Sequence, residues 1–385
     1  MKIVYISSPS FIDADFPLLK TLVEKGHDVY FFLKIYPNGL KSPLLDIPEI
    51  YPDNGVFDSS IYGNHIDKFK KYLNLDKIYV VNRNVNEIKI HHFKITFQLI
   101  NQIKEIKPDV VHHIGWPTIP DILLTYVFRN KLILTIHDPI PHELNRLTKR
   151  YRIIRICTNW FINNYILLNK SQTDDFKRYY RINKANIHYS RLGNYELLNL
   201  YGKKIDDSAQ YILFYGRISK YKGVDVLLKA FNIVKGNHPE IKLIIAGSGS
   251  FHFDLEPYEN DPQVEIINRY ITLEELGTLI KNSLFVVCPY ISATQSGVVA
   301  STLALNKPLL VTNVGGLPEM IEVDKSGIVV PANDVEALAE SLNRLLEHKE
   351  CLNFMSDYIM NNSKNGVNSW NKIAEELIEI YNKSC

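Results

Sequence analysis

The sequence predicts an α/β protein built from two doubly wound parallel-sheet domains. Short apolar runs alternate with amphipathic helical patterns along most of the chain, and this alternation is typical of parallel sheets covered by helices. The alternation restarts around residues 191–208, and 385 residues are more than one ordinary core holds. We therefore predict domains at 1–192 and 193–365, followed by a C-terminal helical segment at 366–385.

The elements of the first domain alternate less regularly than those of the second. Between residues 34 and 90 the chain is rich in Pro and Asn, and we predict no element there. The predicted strands of this domain are 2–7, 28–33, 109–114, 132–137 and 186–190. Its predicted helices are 16–27, 94–108, 118–129, 145–164 and 171–181.

The second domain repeats a strand–helix pattern more clearly. One helix begins at Thr272, with Glu275 three residues later as a capping box, and another begins near Ser296. The predicted strands are 210–219, 241–249, 264–268, 284–290, 307–313 and 327–331. Other predicted helices lie at 224–234 and 334–349, and the last one lies in 367–385. A cleft at the carboxyl ends of two such sheets is the expected ligand site.

The composition is typical of a soluble globular protein. Apolar residues make up 46% and charged residues 22% of the chain, and a net charge of +2 does not indicate a nucleic-acid partner. The four cysteines are scattered without CxxC or metal-ligand spacing, so we expect reduced thiols and no metal. The N-terminus reads as a strand rather than a signal peptide, and no run reaches the ~20 apolar residues of a membrane span. We expect a cytoplasmic protein.

The segment YGRISKYKGVD (215–225) places two cations where a strand runs into a helix. The strand ends at Gly216, and Arg217 and Lys222 flank the entrance to the helix. A guanidinium offers a planar fork to phosphate oxygens, an ammonium offers a point charge, and a helix N-terminus itself favours anions. Phosphate binding and an ordinary solvated loop both remain open as interpretations.

The most informative segment, ATQSGVVAS (293–301), follows a buried strand and carries no charge. Ser296 is a good N-cap, and the free N–H groups of Gly297 and Val298 would point at an anion. Thr294 and Gln295 add neutral hydrogen-bonding groups. The alternative interpretation is a well-capped core helix.

Two further loops are candidates for ligand contacts. The Gly-x-Gly of IIAGSGS, which includes Gly247, lacks the third glycine of a dinucleotide fingerprint. The segment directly after the first strand, SSPSFIDADFP, contains no glycine at all. This argues against an NAD enzyme, and a tight turn with close backbone packing is as good an interpretation as a ligand contact. In TIHDPIPHE, His137 follows a strand and either donates to a sugar hydroxyl or phosphate or is a structural histidine.

The segment 146–184 is strongly basic and has aromatic residues among its cations. Only Asp174 and Asp175 oppose ten lysines and arginines, and Trp160 is one of the interleaved aromatics. We retain two interpretations: the segment binds an anionic membrane surface, or it is a solvated basic face. Membrane binding would gain ~1 kcal/mol for each well-placed cation.

Taken in order, these segments resemble the retaining nucleotide-sugar glycosyltransferases of family 4, which have the GT-B fold of two Rossmann-like domains facing a central cleft. GRISKYKGVD is similar to that family's donor-phosphate motif, and IIAGSG, KPLLVTNVGGLPE and GIVVPANDVEALAESL resemble its C-terminal domain. The resemblance is specific from 211 to 348 and looser before 190. It implies a donor bound by the C-terminal domain, an acceptor bound by the N-terminal domain, and a last helix that crosses back to the N-terminal domain.

The chain departs from this family at two positions of one motif and in the loop after the first strand. The family pattern has two glutamates eight positions apart, and here those positions are Ala293 and Ser301. A subgroup with Ala-Thr-Gln-Ser-Gly-Val in their place resembles this chain more closely. Ser301 retains one neutral hydrogen bond for a ribose, worth about 1 kcal/mol against ~1.5–3 for a charged one. The glycine-rich loop after the first strand is also replaced, by SSPSFIDADFP.

The resemblance implies a set of roles for these residues. Arg217, Lys222, Ser296, Gly297 and Val298 would hold the donor diphosphate, and His137, Thr294 and Gln295 would contact the transferred sugar. The residues expected near the nucleoside are Gly216, Gly247, Tyr270 and Ser301. Catalysis would rest on Arg217, Lys222 and His137, with no metal and no cofactor, because the departing diphosphate is stabilised electrostatically and helps to deprotonate the acceptor.

The predicted function is therefore transfer of a sugar, with retention, from a nucleoside-diphosphate sugar to a glycan or lipid-linked acceptor in bacterial surface polysaccharide synthesis. This fits a cytoplasmic protein that lies peripherally on the inner face of the plasma membrane. The missing glutamates keep a non-catalytic nucleotide-sugar-binding subunit open as an alternative, and a sugar-nucleotide epimerase or hydrolase on the same fold is a third interpretation.

Overall fold

The structure is a computed structural model that describes residues 1–36, 53–83, 90–140, 146–205 and 210–384; the side chains of 64, 68, 90, 91 and 146–150 are not described. The chain divides into two compact units. Unit 1 comprises Met1–Arg191 and Trp370–Cys385, and unit 2 comprises Leu192–Ser369. The predicted boundaries at 192/193 and 365/366 lie close to these.

Unit 1 is an eight-stranded sheet with helices connecting its parallel strands. Its strands are β1 (Lys2–Ser7), β2 (Asp28–Ile35), β3 (Gly55–Asp58), β4 (Ile78–Asn82), β5 (Val110–Ile114), β6 (Leu132–Ile136), β7 (Asn164–Leu167) and β8 (Asn186–Tyr189). The α-helices in its first segment, before Arg191, are α1 (Ile12–Glu24), α2 (Ile90–Ile106), α3 (Ile122–Val127), α4 (Arg146–Thr158) and α5 (Thr173–Tyr180). The strand order is β3-β4-β2-β1-β5-β6-β7-β8, and β3 alone pairs antiparallel, with β4.

Unit 2 is a six-stranded sheet in the order β11-β10-β9-β12-β13-β14, with all its neighbours parallel. Its strands are β9 (Tyr211–Tyr215), β10 (Lys242–Gly247), β11 (Val264–Asn268), β12 (Val286–Cys288), β13 (Leu309–Thr312) and β14 (Gly327–Val330). Its helices are α6 (Val224–Val234), α7 (Glu256–Glu259), α8 (Leu273–Asn282), α9 (Gly297–Ala304), α10 (Val335–Glu347) and α11 (Lys349–Asn361). The six predicted strands and the Thr272–Glu275 capping box are confirmed.

The structure corrects the sequence prediction in unit 1 at three strands. β3 and β4 lie in the stretch where no element was predicted, and β7 begins where a helix was predicted to end. The predicted helix 145–164 stops at Thr158, and a short 3-10 turn at Asn159–Phe161 follows. Tyr165 and Ile166 of β7 are completely buried, so burial in the sheet decides the conformation of this segment.

The last helix, α12 (Trp370–Ser384), belongs to unit 1 although it follows unit 2 in the sequence. It packs on α1 through an apolar face that includes Ile373, Leu377 and Tyr381. The Tyr381 hydroxyl lies 2.6 Å from Nδ1 of buried His112, and the other ring nitrogen of His112 lies 2.7 Å from the Thr135 hydroxyl. This histidine therefore joins β5, β6 and α12 by hydrogen bonds.

A buried ionic network lies at the carboxyl ends of β2 and β4 in unit 1. Asp121, at the start of α3, receives two hydrogen bonds from the Arg83 guanidinium, at 2.6 and 3.0 Å, and one at 3.4 Å from Lys34. Lys34 also contacts Nε2 of His113 at 2.7 Å, and all four side chains are almost completely buried. Burial alone would raise the pKa of Asp121, but Arg83 and Lys34 lower it well below its usual range.

In the part of the chain that the structure describes, none of the helices has the length and apolar character needed to cross a bilayer.

Replacing Asp121 by asparagine should destabilise the protein, because Arg83 and Lys34 would lose the buried carboxylate that compensates them. We expect the free energy of unfolding, measured by urea denaturation, to fall by about 3–5 kcal/mol. Asp175→Asn is the matched control, since Asp175 forms an exposed pair with Arg178 at 3.8 Å. The control should lose less than about 1 kcal/mol, and a similarly small loss in Asp121→Asn would show that the network does not stabilise the fold.

Candidate functional site

The candidate site is the carboxyl edge of the unit 2 sheet, where β9 lies between β10 and β12. From β9 the chain passes to β10 on one side, whereas β12 pairs with β9 on the other side. The strand order therefore reverses between β9 and β12. Open α/β sheets bind ligands outside the carboxyl ends of their strands at such a switch point. The loops after β9 and β12 carry most of the predicted donor-site residues.

Glycines allow the loops after β9 and β10 to run side by side beyond the ends of the strands. Gly247 has a φ of +149°, and a Cβ there would lie 1.8 Å from the carbonyl oxygen of Gly216. Gly249 has a φ of +156°, and a Cβ there would lie 2.0 Å from the carbonyl oxygen of Ile218. Close backbone packing thus explains why residue 247 is a glycine. This was the alternative to a ligand contact in the sequence analysis. Its predicted contact with a nucleoside, like that of Gly216, stays a prediction.

The loops after β9 and β12 are also joined to each other. Gly223, at the N-terminus of α6, has a φ of +65°, and a Cβ there would lie 2.0 Å from the carbonyl oxygen of Pro289. The N–H of Ile291 donates to the carbonyl oxygen of Tyr221 at 2.8 Å. These contacts fix the backbone on both sides of Lys222.

Lys222 is a partly buried cation held on an aromatic ring. Its Nζ lies 3.5 Å from the ring centroid of Tyr290, which is completely buried. Burial, and to a smaller extent the nearby charge of Arg217, lowers the pKa of Lys222 to about 8. Among the described residues no carboxylate lies within ion-pair distance of Lys222 or of the exposed Arg217. The loop thus presents two uncompensated cations.

The same tyrosine connects Lys222 to the N-terminus of α9. The hydroxyl of Tyr290 lies 3.2 Å from Oγ of Ser296, and Ser296 caps the helix by accepting from the N–H of Val299 at 3.4 Å. Gly297 and Val298 are the first two residues of the helix, and neither is fully buried. Within the described part of the chain their N–H groups have no acceptor. Tyr290 therefore contacts the Lys222 ammonium with its ring face and the N-cap of α9 with its hydroxyl.

The neutral residues before α9 are set by the loop that follows β13. A Cβ on Gly315, where φ is +52°, would lie 1.7 Å from the carbonyl oxygen of Ala293. The N–H of Gly316 donates to the carbonyl oxygen of Thr294 at 3.0 Å. Thr294 is buried and Gln295 is partly exposed. Their contacts with a transferred sugar stay predictions.

The two remaining predicted nucleoside contacts differ in their surroundings. Ser301 is 8% exposed, and its hydroxyl donates to the carbonyl oxygen of Gly297 within the same helix. This hydrogen bond uses the only proton of the hydroxyl, so only its lone pairs remain for a ligand. Tyr270 is 65% exposed and follows β11. Nothing in unit 2 tests its predicted role.

His137 lies in unit 1, directly after β6. Its ring stacks on Phe11, with the centroids 4.2 Å apart. Burial lowers the pKa of His137 to about 4, although Asp138 opposes this effect. The imidazole is therefore neutral near pH 7. A neutral ring suits a hydrogen bond to a sugar hydroxyl, whereas it supplies no positive charge to a phosphate.

The segment SSPSFIDADFP, which runs from the end of β1 into α1, carries two carboxyl groups with raised pKa values in the first turn of that helix. Burial raises the pKa of Asp13 to about 6 and that of Asp15 to about 8. Asp15 accepts a hydrogen bond from the Tyr5 hydroxyl at 3.0 Å. Near pH 7 Asp15 is therefore mostly protonated, whereas Asp13 remains mostly ionised.

Some cations of the basic segment 146–184 are engaged within unit 1 and are less available to a membrane surface than the sequence indicates. Arg152 donates to the carbonyl oxygen of Tyr179, and Arg155 donates to the Tyr180 hydroxyl, so both join α4 to α5. Arg146, Lys149 and Arg150 have side chains that lie outside the described residues. The membrane surface predicted for this segment stays a prediction.

Tyr290 is the functional candidate that the sequence analysis missed. It follows a fully buried strand as an ordinary aromatic, and only the fold shows that it contacts both the Lys222 ammonium and the Ser296 hydroxyl. Among the residues that the structure describes, no group of three or more His, Cys, Asp or Glu side chains is arranged to hold a metal ion.

Unit 2 is similar in sequence to known glycosyltransferases. Residues 202–364 match the family of glycosyl transferases group 1. The match covers the strands and loops of the candidate site. An uncharacterized glycosyltransferase of Methanocaldococcus jannaschii is 30% identical over 46% of this chain and 46% of its own length. The chain spans about half the length of the first curated relatives it matches.

Two longer matches include unit 1. A second uncharacterized glycosyltransferase of M. jannaschii is 25% identical over 94% of this chain and 92% of its own length. The Anabaena protein HepE, solved in complex with UDP and glucose, has a TM-score of 0.65 at 13% identity and covers both chains completely. At this identity the likeness shows the fold alone, and it confirms the two Rossmann-like units of the GT-B class predicted from the sequence.

Proposed function

We propose that the protein is a retaining glycosyltransferase that moves a sugar from a nucleoside-diphosphate sugar to a glycan or lipid-linked acceptor in surface polysaccharide synthesis. The observation that carries the proposal is Lys222, held on the Tyr290 ring without a carboxylate partner in the described chain and connected through that tyrosine to the N-terminus of α9. A diphosphate would supply the negative charge that this site lacks.

The proposed chemistry needs stabilisation of a leaving group more than it needs an acid or a base. The bond between the anomeric carbon and the diphosphate oxygen breaks, and a bond to the acceptor hydroxyl forms on the same face. The departing diphosphate takes the proton of that hydroxyl. Lys222, Arg217 and the N–H groups of Gly297 and Val298 would stabilise the charge that develops on the diphosphate.

Two observations favour a second candidate, a nucleotide-sugar-binding subunit without activity. Both glutamate positions of the family pattern are neutral here, and the Ser301 hydroxyl donates to Gly297. Such a protein would bind donor without releasing free sugar or transferring it. Hydrolysis and transfer measured with a panel of sugar nucleotides distinguish the two candidates. Formation of a free epimer would instead indicate the sugar-nucleotide epimerase that the sequence analysis kept as a third interpretation.

Removing either cation should weaken catalysis on a bound donor. We expect Lys222→Ala and Arg217→Ala each to lower the rate of donor hydrolysis at least about tenfold, because each loses a charged contact to the leaving diphosphate. UDP-glucose is the first donor to use, with release of UDP as the readout. Lys220→Ala is the control, since Lys220 is an exposed cation in the same turn. Rates close to wild type in both test variants would refute the phosphate assignment.

The affinity for UDP should fall as the pH rises above about 8, the pKa of Lys222. Below that pH the amine is already charged, whereas above it binding must take up a proton, so affinity decreases by up to about tenfold per pH unit. The diphosphate group of UDP is ionised throughout this range. Calorimetric titration at about pH 7.5 and about pH 9.5, on either side of the Lys222 pKa of about 8, measures the change in UDP affinity.

Lys222→Arg serves as the control for this pH dependence. A guanidinium stays charged over the whole range, so the affinity of the variant should change less than about threefold between the two conditions. A wild-type affinity that is the same at both pH values would mean that Lys222 does not face the diphosphate.

A further inference from the structure

A depression of about 370 Å³ lies on unit 1, away from the edge where its sheet would bind a substrate. It is bordered by Asn163, which precedes β7, and by Ala185, which precedes β8. The depression is therefore at the amino ends of these strands. His137, by contrast, follows the carboxyl end of β6. Substrates of open α/β sheets bind at the carboxyl ends, so a ligand in this depression would occupy a separate site.

Trp160 forms an aromatic wall of the depression. Its side chain is 84% exposed, although indole is among the largest apolar groups in a protein. The other two tryptophans are covered by the protein: Trp370 is buried and Trp116 is partly buried beside Tyr180. An exposed ring of this size offers a flat face on which the C–H groups of a sugar ring can pack.

Arg181, which also lines the depression, is held in an unfavourable backbone conformation. It ends α5 with φ +55° and ψ +47°, the left-handed region in which glycine and, less often, asparagine are usually found. Of the five described non-glycine residues with positive φ, only Arg181 and Lys107 are neither Asn nor Asp. A strained residue at the rim of a cavity indicates that its side chain has a use there.

The lining of the depression carries positive charge only. Lys184 adds a second exposed cation to Arg181, and no Asp or Glu lines the cavity. Among the described residues neither cation forms an ion pair or a side-chain hydrogen bond. Asn183 adds an exposed amide. A guanidinium and an ammonium together favour a phosphate group, and a neighbouring amide favours hydroxyls.

We propose that this depression binds a phosphosugar group, with the sugar ring packed on Trp160 and the phosphate held by Arg181 and Lys184. The same chemistry is found in a free sugar phosphate and in a phosphoinositol lipid headgroup. The proposal does not depend on the identity of the donor or on catalysis in unit 2.

The indole N–H signal of Trp160 in a two-dimensional ¹⁵N–¹H spectrum of the full chain reports directly on this site. Trp160→Phe identifies the signal among the three tryptophans. Titration with glucose 6-phosphate should shift it saturably at millimolar concentration, while glucose alone and inorganic phosphate alone should bind at least about tenfold more weakly. No saturable shift at tens of millimolar, or equal binding of inorganic phosphate, would overturn the proposal.

Arg181→Gly separates a ligand-binding role from a structural one. Glycine relieves the left-handed strain, so this variant should melt about 1–3 °C higher than the wild type and yet bind glucose 6-phosphate at least about tenfold more weakly. Lys107→Gly is the matched control, because Lys107 has a φ of +54° on the same unit outside the depression. It should gain similar stability with unchanged binding. Unchanged binding in Arg181→Gly, or a lower melting temperature, would contradict the proposal.

Vesicle flotation distinguishes the two sources of the ligand. Binding to phosphatidylcholine vesicles that contain phosphatidylinositol, lost in Arg181→Gly, would assign the site to a lipid headgroup. No flotation, together with the shift by glucose 6-phosphate, would assign it to a soluble sugar phosphate. Equal flotation with phosphatidylglycerol in place of phosphatidylinositol would indicate a general anionic membrane surface and would overturn the proposal.

Discussion

The candidate donor site depends on the close approach of backbone segments at the carboxyl edge of the unit 2 sheet. At four places a glycine lies where a Cβ would fall 1.7 to 2.0 Å from a carbonyl oxygen: Gly247 against Gly216, Gly249 against Ile218, Gly223 against Pro289, and Gly315 against Ala293. Each pair joins two loops that follow different strands. Because backbone cannot move aside as a flexible side chain can, these contacts hold the loops in one arrangement. The positions of Lys222 and of the α9 N-terminus follow from that arrangement.

The electrostatics of the site follow from the same packing. The loop geometry places the Lys222 ammonium over the Tyr290 ring, where burial lowers its pKa to about 8. Desolvation and the nearby positive charge of Arg217 both disfavour the protonated amine, and an anionic ligand would reverse this. The N-terminus of α9, whose N-cap Ser296 contacts the hydroxyl of the same tyrosine, adds partial positive charge. The proposed site is thus incomplete without an anion, in contrast to the network of Arg83, Lys34 and Asp121 in unit 1.

Much of the fold was predictable from the sequence because hydrophobic patterning carries it. All six strands of unit 2 were predicted, as was the capping box of α8. β3 and β4 were missed, since they lie among Pro and Asn residues that indicate loops. β7 was missed because a short apolar run after a helix resembles the continuation of that helix, and only burial in the sheet decides between them.

The residues of the candidate site were predictable only in part. Arg217, Lys222 and Ser296 could be selected because a strand end, a helix start and a residue type coincide in the sequence. Tyr290 could not, since its role depends on two contacts with loops that are distant in sequence. The direction of the Ser301 hydroxyl, the neutral state of His137 and the engagement of Arg152 and Arg155 likewise depend on packing.

The central claim is that a diphosphate is bound by Lys222 and the first N–H groups of α9. Amide ¹⁵N–¹H spectra of the protein with UDP and with uridine test it most directly. The account predicts that UDP moves the Gly297 and Val298 signals strongly downfield, because a phosphate oxygen accepts their hydrogen bonds, and that uridine leaves both nearly unchanged. Saturable UDP binding without a shift of either signal would contradict it.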